Sequence, residues 1–244
     1  MGDLPAPPSK VVDLQRRAIA ERFLTGHGVE VGAGDRPFPV SQHARVSYGD
    51  IRGTAAIREY FKTADVRSDS AIDGQTFAGI GNDSLDFVIS AHVIEHLRDP
   101  IGSIVHAMRI LRPGGIHILV VPDMRFTFDH ERPETTVEHA LLDYGDGGES
   151  TCRQGYEEHL RYVHPVLTSE HYSEAEINSQ ADGAARRWKE LDVHFHAWTR
   201  EGFESLLAAA ERYAPFVVEE TVSVVNENIF VLRKSPRSKD SPEN

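Results

Sequence analysis

The stretch Gly28-Val29-Glu30-Val31-Gly32-Ala33-Gly34 constrains this chain more than any other. A short β-branched run delivers a carboxylate, and a Gly-x-Gly turn follows at once. A doubly wound α/β domain ends its first strand this way, bringing bare backbone up to a nucleotide-like ligand. The third glycine of a dinucleotide fingerprint is missing, and Pro37 stands in its place. Without it the following helix cannot pack as closely, which weakens the case for a pyrophosphate at this turn.

The hydrophobic pattern around that turn alternates between helical and strand periods. Val11 to Leu24 reads as a helix stopped by Gly26 and Gly28, and Arg45-Val46-Ser47-Tyr48 as a second strand ending at Gly49-Asp50. Ile57 to Phe61 falls in a helix, and Ser84 to Ser90 is a buried strand. Asp99-Pro100 opens a helix that Arg112-Pro113-Gly114-Gly115 closes, and Ile116 to Val121 is the next strand. A helix after Thr199 and two closing strands, Phe216 to Glu219 and Asn228 to Leu232, complete the pattern. The expectation is a Rossmann-like α/β fold with a doubly wound, seven-stranded, mostly parallel sheet.

Between the fifth strand and the last helix the rhythm breaks. Residues 124–197 show no strand pattern, and Thr135 to Tyr144 and Ala181 to Leu191 look helical. The segment carries His130, His139, His159, His164, His171, His194 and His196. It reads as a mainly helical, acceptor-binding insertion over the carboxyl edge of the sheet, where open α/β folds take their ligands. One domain over 1–244 is expected, with loose tails at 1–10 and 235–244.

Composition narrows the partners. Lys+Arg 26 against Asp+Glu 38 leaves a net charge of −12, which disfavours nucleic acid. The one cysteine, Cys152, excludes a disulfide framework within the chain and fits a reducing cytoplasm. No apolar run approaches the roughly 18 residues of a membrane span, so a cytoplasmic monomer or homodimer acting on a small molecule is expected.

Several side chains suit ligand chemistry. Asp50, at the end of the second strand, can accept both hydroxyls of a ribose. Asp69 can accept an adenine amine. His92 and His96 stand four apart with Glu95 between, which places the two imidazoles on one face of a helix start. Arg125, Asp129, His130 and Arg132 follow the fifth strand, and His194 and His196 share a face of an extended segment. A divalent metal held by His194 and His196 with Asp129 or His130 is an open but less favoured alternative to their orienting an acceptor.

Glu30-x-Gly32-x-Gly34, Asp50, Ser84-x-Asp86-Phe87-Val88-Ile89, His92-Val93-Ile94-Glu95-His96 and Leu111-Arg112-Pro113-Gly114-Gly115 occur in this order. Together they resemble class I S-adenosylmethionine-dependent methyltransferases over about residues 26–122. Val121-Pro122-Asp123-Met124-Arg125-Phe126-Thr127-Phe128-Asp129 and His194-Phe195-His196-Ala197-Trp198-Thr199 are similar to stretches of bacterial methyltransferase type 11 proteins. The resemblance implies S-adenosylmethionine as cofactor, with Glu30, Gly32, Ala33 and Gly34 cradling its methionine part. It makes Asp50 the ribose clamp and Asp69 an adenine contact, and it sets Ala91 and His92 beside the sulfonium. The polar third-strand region, Val66 to Asp69, departs from the family pattern.

The expected reaction is methyl transfer to a small polar acceptor: a sugar, a nucleotide-linked sugar or a natural-product hydroxyl. O-methylation needs a base of near-neutral pKa, for which His92, His130 and His196 are the candidates. Glu95, His96, Arg125, Asp129, His130, Arg132, His194 and His196 would contact the acceptor. N-methylation, a NAD-dependent oxidoreductase or epimerase, and a non-catalytic cofactor binder remain the alternatives. Pro37 and the absence of a Tyr-x-x-x-Lys pair speak against the oxidoreductase.

Overall fold

The computed structural model describes residues 10–188 and 192–236. A helix, α1 (Lys10–Phe23), precedes β1 (Gly26–Val31) and β2 (Ala44–Asp50). Then come α2 (Thr54–Phe61), the two-residue β3 (Ser70–Ala71), β4 (Leu85–Ala91), α3 (Pro100–Ile110) and β5 (Leu111–Pro122). Four helices follow: α4 (Val137–Asp146), α5 (Cys152–Glu158), α6 (His164–Thr168) and α7 (Glu174–Ala185). The chain closes with α8 (Arg200–Ala210), β6 (Phe216–Val224) and β7 (Glu227–Lys234).

The strands form one seven-stranded sheet in the order β3-β2-β1-β4-β5-β7-β6. β3 to β5 pair in parallel, and β7 pairs antiparallel with both β5 and β6. This is the doubly wound, mostly parallel sheet expected, with a mainly helical insertion after the fifth strand. Strand period two sends alternate residues to opposite faces. Val88, Leu119, Val121, Phe230 and Leu232 meet α3 and α8 on one side. Phe87, Ile89, Ile118, Ile229 and Val231 meet α1 on the other.

Three local departures have physical reasons. The buried stripe of α1 is Val12, Arg16, Ile19 and Ala20, while Val11 and Leu14 face solvent. A charge sits in that stripe because Arg16 pairs with Glu227 on β7 at 2.6 Å. The third strand shrinks to Ser70–Ala71, because Val66 to Asp69 is too polar to bury. The helix expected at 181–191 is instead α7, which begins at a capping box formed by Ser173 and Glu176. Residues 189–191 and most of the expected tails lie outside the described residues.

The insertion has a small core of its own, Cys152, Tyr156, Ala181, Val193 and Phe195. Its last segment is tied down to the sheet. The Glu95 carbonyl accepts from Phe195 N–H at 2.8 Å, and Met124 N–H donates to the Trp198 carbonyl at 2.9 Å. Among the described residues no helix is long and apolar enough to cross a membrane.

Candidate functional site

A cavity of about 370 Å³ opens at the carboxyl ends of the parallel strands. Gly32 and Asp50 form one wall, and His92, His96 and Arg98 another. Asp192 and Trp188 from the insertion complete it. The site sits where β1 and β4 diverge to opposite halves of the sheet, the crevice in which such sheets hold ligands.

Backbone conformation at the turn explains its glycines. Gly32 has φ +69°, and a Cβ there would lie 2.5 Å from Val93 Cγ2. Gly34 has φ +55°, and its Cβ would meet the Phe61 ring at 2.5 Å. Both positions therefore exclude side chains on strain and on space.

Beneath the turn Glu30 is fully buried. One carboxylate oxygen accepts from Phe38 N–H at 2.8 Å, and the other has no hydrogen-bond partner. Burial lifts its pKa to about 8, although the Phe38 N–H and the Arg16 charge pull the other way. Asp50 is also buried, and its Oδ1 accepts from the Arg52 backbone N–H at 2.8 Å and from Arg52 Nε at 3.2 Å.

Across the cavity the charges form a chain. Arg16 holds Glu227, and His92 Nε2 lies 3.0 Å from Glu227 Oε2. His92 Nδ1 is 3.7 Å from Glu95 Oε1. Burial opposes charge on His92, but its bond to Glu227 and the nearby Glu95 carboxylate overcome this and lift its pKa to about 9. His92 also sits at φ +54°, a strained position for a residue with a side chain. His96 donates from Nδ1 to Asp192 at 2.7 Å, and Asp192 reaches Arg52 at 3.3 Å. That pairing raises the His96 pKa against the effect of burial.

A family model described as a methyltransferase domain matches residues 9–210. The chain belongs to that methyltransferase-domain family. Among curated proteins no sequence matches. A protein titled as a putative Zn-dependent alcohol dehydrogenase from Rhodobacter sphaeroides superposes with TM-score 0.54 at 16% identity, over 95% of this chain and 92% of that one. A Pyrococcus horikoshii protein gives 0.51 at 16%, over 93% and 90%. The CurJ carbon methyltransferase gives 0.50 at 14%, over 93% of this chain but 56% of that chain, so this chain spans just over half its length. At such identities the likeness is one of fold alone.

Within this methyltransferase domain the residues named from sequence divide cleanly. Gly32, Asp50, His92 and His96 line the cavity; Glu30 and Glu95 lie directly behind the wall. Ala33, Gly34 and Ala91 belong to the same strand ends without lining it.

Asp69 is spent elsewhere: its carboxylate accepts from Tyr48 N–H at 3.0 Å and its own N–H donates to the Tyr48 carbonyl at 2.8 Å. It extends the pairing of β3 with β2, and the acidic residue that lines the cavity after β3 is Asp73. Arg125 is clasped to Asp123 through two bonds of 2.8 and 2.7 Å.

Asp129 and Arg132 are buried fasteners. Arg132 reaches Asp129, Glu158 and the carbonyls of His194 and Phe195, so its role is to hold the insertion together. His130 is exposed and donates from Nδ1 to the Thr127 carbonyl at 2.9 Å, away from the cavity. His196 is buried against Trp198, ring centroids 5.1 Å apart, and burial pushes its pKa down to about 3. Neither is placed to act as base on a ligand in this cavity.

Spacing alone missed Arg52, Arg98, Trp188 and Asp192. Only Arg52, two residues after Asp50 at the end of a strand, left a signal in the sequence.

Proposed function

We propose that this chain transfers a methyl group from S-adenosylmethionine to a small polar acceptor, a sugar, nucleotide-linked sugar or natural-product hydroxyl, with oxygen as the methylated atom. The cavity carries this reading: it joins a glycine turn with a buried acid behind it to a charged wall made by Arg52, Arg98 and, from the insertion, Asp192. The residues present fit the cofactor. Gly32 leaves a cradle that a Cβ would fill, and Glu30 offers a buried carboxyl oxygen with no partner, whose ionised form an ammonium beside it would favour. Asp50 would take the ribose hydroxyls, and Gly32 with Gly34 would receive the methionine part. When bound, the cofactor supplies an electrophilic methyl on a sulfonium sulfur.

The protein then has to align donor and acceptor and exclude water. Arg52, Arg98 and Asp192 make the acceptor side polar, which suits a hydroxylated or phosphorylated molecule better than a greasy one. Among the three histidines expected as base, His92 has both ring nitrogens directed at carboxylates, and His130 and His196 lie off the cavity. An acceptor hydroxyl therefore needs another route to lose its proton.

The test is ligand-dependent thermal stability. S-adenosylhomocysteine should raise the melting temperature clearly, and NAD should not. A shift with NAD alone would overturn the proposal.

A further inference from the structure

Behind the cavity wall, Glu95 presents an unusual carboxylate. It is 1% exposed, and neither oxygen has a hydrogen-bond partner. His92 Nδ1 pairs with it from 3.7 Å, beyond hydrogen-bond reach, so both oxygens keep lone pairs for a further cation. One donor atom each from Glu95, His96 and His194 lie within 4.8 Å of one another. The two rings meet edge to face, centroids 4.5 Å apart.

The surroundings of the two rings decide what they can hold. His96 donates from Nδ1 to Asp192 at 2.7 Å and to the Val193 carbonyl at 3.1 Å. His194 donates from Nδ1 to Asp129 at 2.7 Å. With each Nδ1 proton engaged by a carboxylate, Nε2 of a neutral ring keeps its lone pair for a third party. A carboxylate behind the far nitrogen is the arrangement that orients histidine ligands of metals and raises their basicity. Asp192 and Asp129 are themselves fixed by Arg52 and Arg132. Two oriented imidazoles and one carboxylate make a three-ligand set with open positions, suited to a divalent transition metal.

We propose that Glu95, His96 and His194 bind one divalent transition-metal ion, of the zinc and manganese class, at the inner wall of the cavity. His96 lines the cavity, so the open positions of the ion face the acceptor side. Resting on the methyltransferase reading above, the ion holds and acidifies an acceptor hydroxyl. On transfer the S–CH3 bond breaks as the O–CH3 bond forms, and the hydroxyl proton leaves to water. The ion thereby supplies the step that His92, His130 and His196 are not placed to perform.

A second cluster, His139, Asp143 and His196, has a comparable donor set. Its Asp143 is already bonded by Thr151, and none of the three residues lines the cavity. An ion there could not meet an acceptor, so this cluster serves as the internal control.

The experiment titrates chelator-stripped full chain with Zn²⁺ alone, and separately with Mn²⁺ alone, by calorimetry. One ion should bind per chain with either or both. Glu95→Gln and His194→Ala should each weaken binding at least about tenfold, and His139→Ala should leave it unchanged. Glu95→Gln conserves volume and decides the matter if His194→Ala does not fold. The proposal is overturned if the wild type binds neither ion, if Glu95→Gln binds as tightly as wild type, or if His139→Ala alone abolishes binding. The melting shift with S-adenosylhomocysteine, measured on the same wild-type sample, reports separately on the cofactor reading.

Discussion

The sheet and the insertion use their polar residues in opposite ways. At the strand ends, Glu30 and Asp50 are buried acids with capacity to spare: one Glu30 oxygen is unpartnered, and Asp50 borders the cavity. In the insertion most of the buried charge is consumed internally. Arg132 donates to Asp129, Glu158 and two carbonyls, and the buried Asp123 carboxylate is taken by Arg125. A helical insertion with a core as small as Cys152, Tyr156, Ala181, Val193 and Phe195 gains little from apolar burial. It is held instead by ion pairs, and among the described residues it lines the cavity only with Trp188, Asp192, Val193 and Phe195.

That contrast breaks first at Arg132, where the largest effect is expected. Its side chain is fully buried, and truncation strands Asp129 and Glu158 along with two carbonyls. Removing one partner of such a network costs about 3–5 kcal/mol, which in a domain of this size lowers Tm by roughly 10 °C. Arg132→Ala should therefore melt earlier in thermal unfolding and be cut faster by protease within the insertion. An unchanged Tm would mean that the insertion is held by its apolar contacts after all.

On the sheet side the pH dependence of Glu30 sharpens the comparison. Its folded pKa is raised from 4.5 to about 8. A raised folded pKa means a stability contribution fully present below about pH 4.5 and lost as pH rises through about 8. Across that window one proton is bound in the folded state and not in the unfolded state, giving a slope of about 1.4 kcal/mol per pH unit. Glu30→Gln should flatten the slope in denaturant titrations taken between pH 5 and pH 8. A slope that survives the substitution would assign it to another group.

Asp50 comes next. If it clamps the ribose, Asp50→Ala should weaken S-adenosylhomocysteine binding at least tenfold, about 1.4 kcal/mol, as read by calorimetry. Unchanged affinity would remove Asp50 from the cofactor half of the cavity.

These expectations also mark where the sequence was readable. The sheet was legible because parallel strands buried on both faces write long apolar runs, such as Ile116 to Val121, and because Gly32 and Asp50 sit where the strand pattern ends. β3 was not, since Ser70–Ala71 is held by the backbone and side chain of Asp69 rather than by any hydrophobic period. In the insertion, contacts join residues far apart in sequence. Asp129 meets His194, and His96 meets Asp192. No local spacing encodes such pairs, so His96 could be named from sequence without its partner, and Asp192 could not be named at all. His196 misled for the same reason: alternation put it on one face with His194, but the chain turns toward the core there and stacks it on Trp198.

The smallest effect is expected at His130, and it tests where the acceptor binds. The ring is exposed, bonded to the Thr127 carbonyl and 3.4 Å from Glu131. Neither His130 nor these partners line the cavity, and surface substitutions of this kind change stability by within about 0.5 kcal/mol. His130→Ala should accordingly leave Tm, S-adenosylhomocysteine affinity and the rate of methyl transfer near wild-type values. A large loss of rate with cofactor affinity intact would place the acceptor outside the Gly32 cavity, on the loop that follows β5. It would also show that the insertion contributes ligand contacts beyond the few side chains with which it lines that cavity.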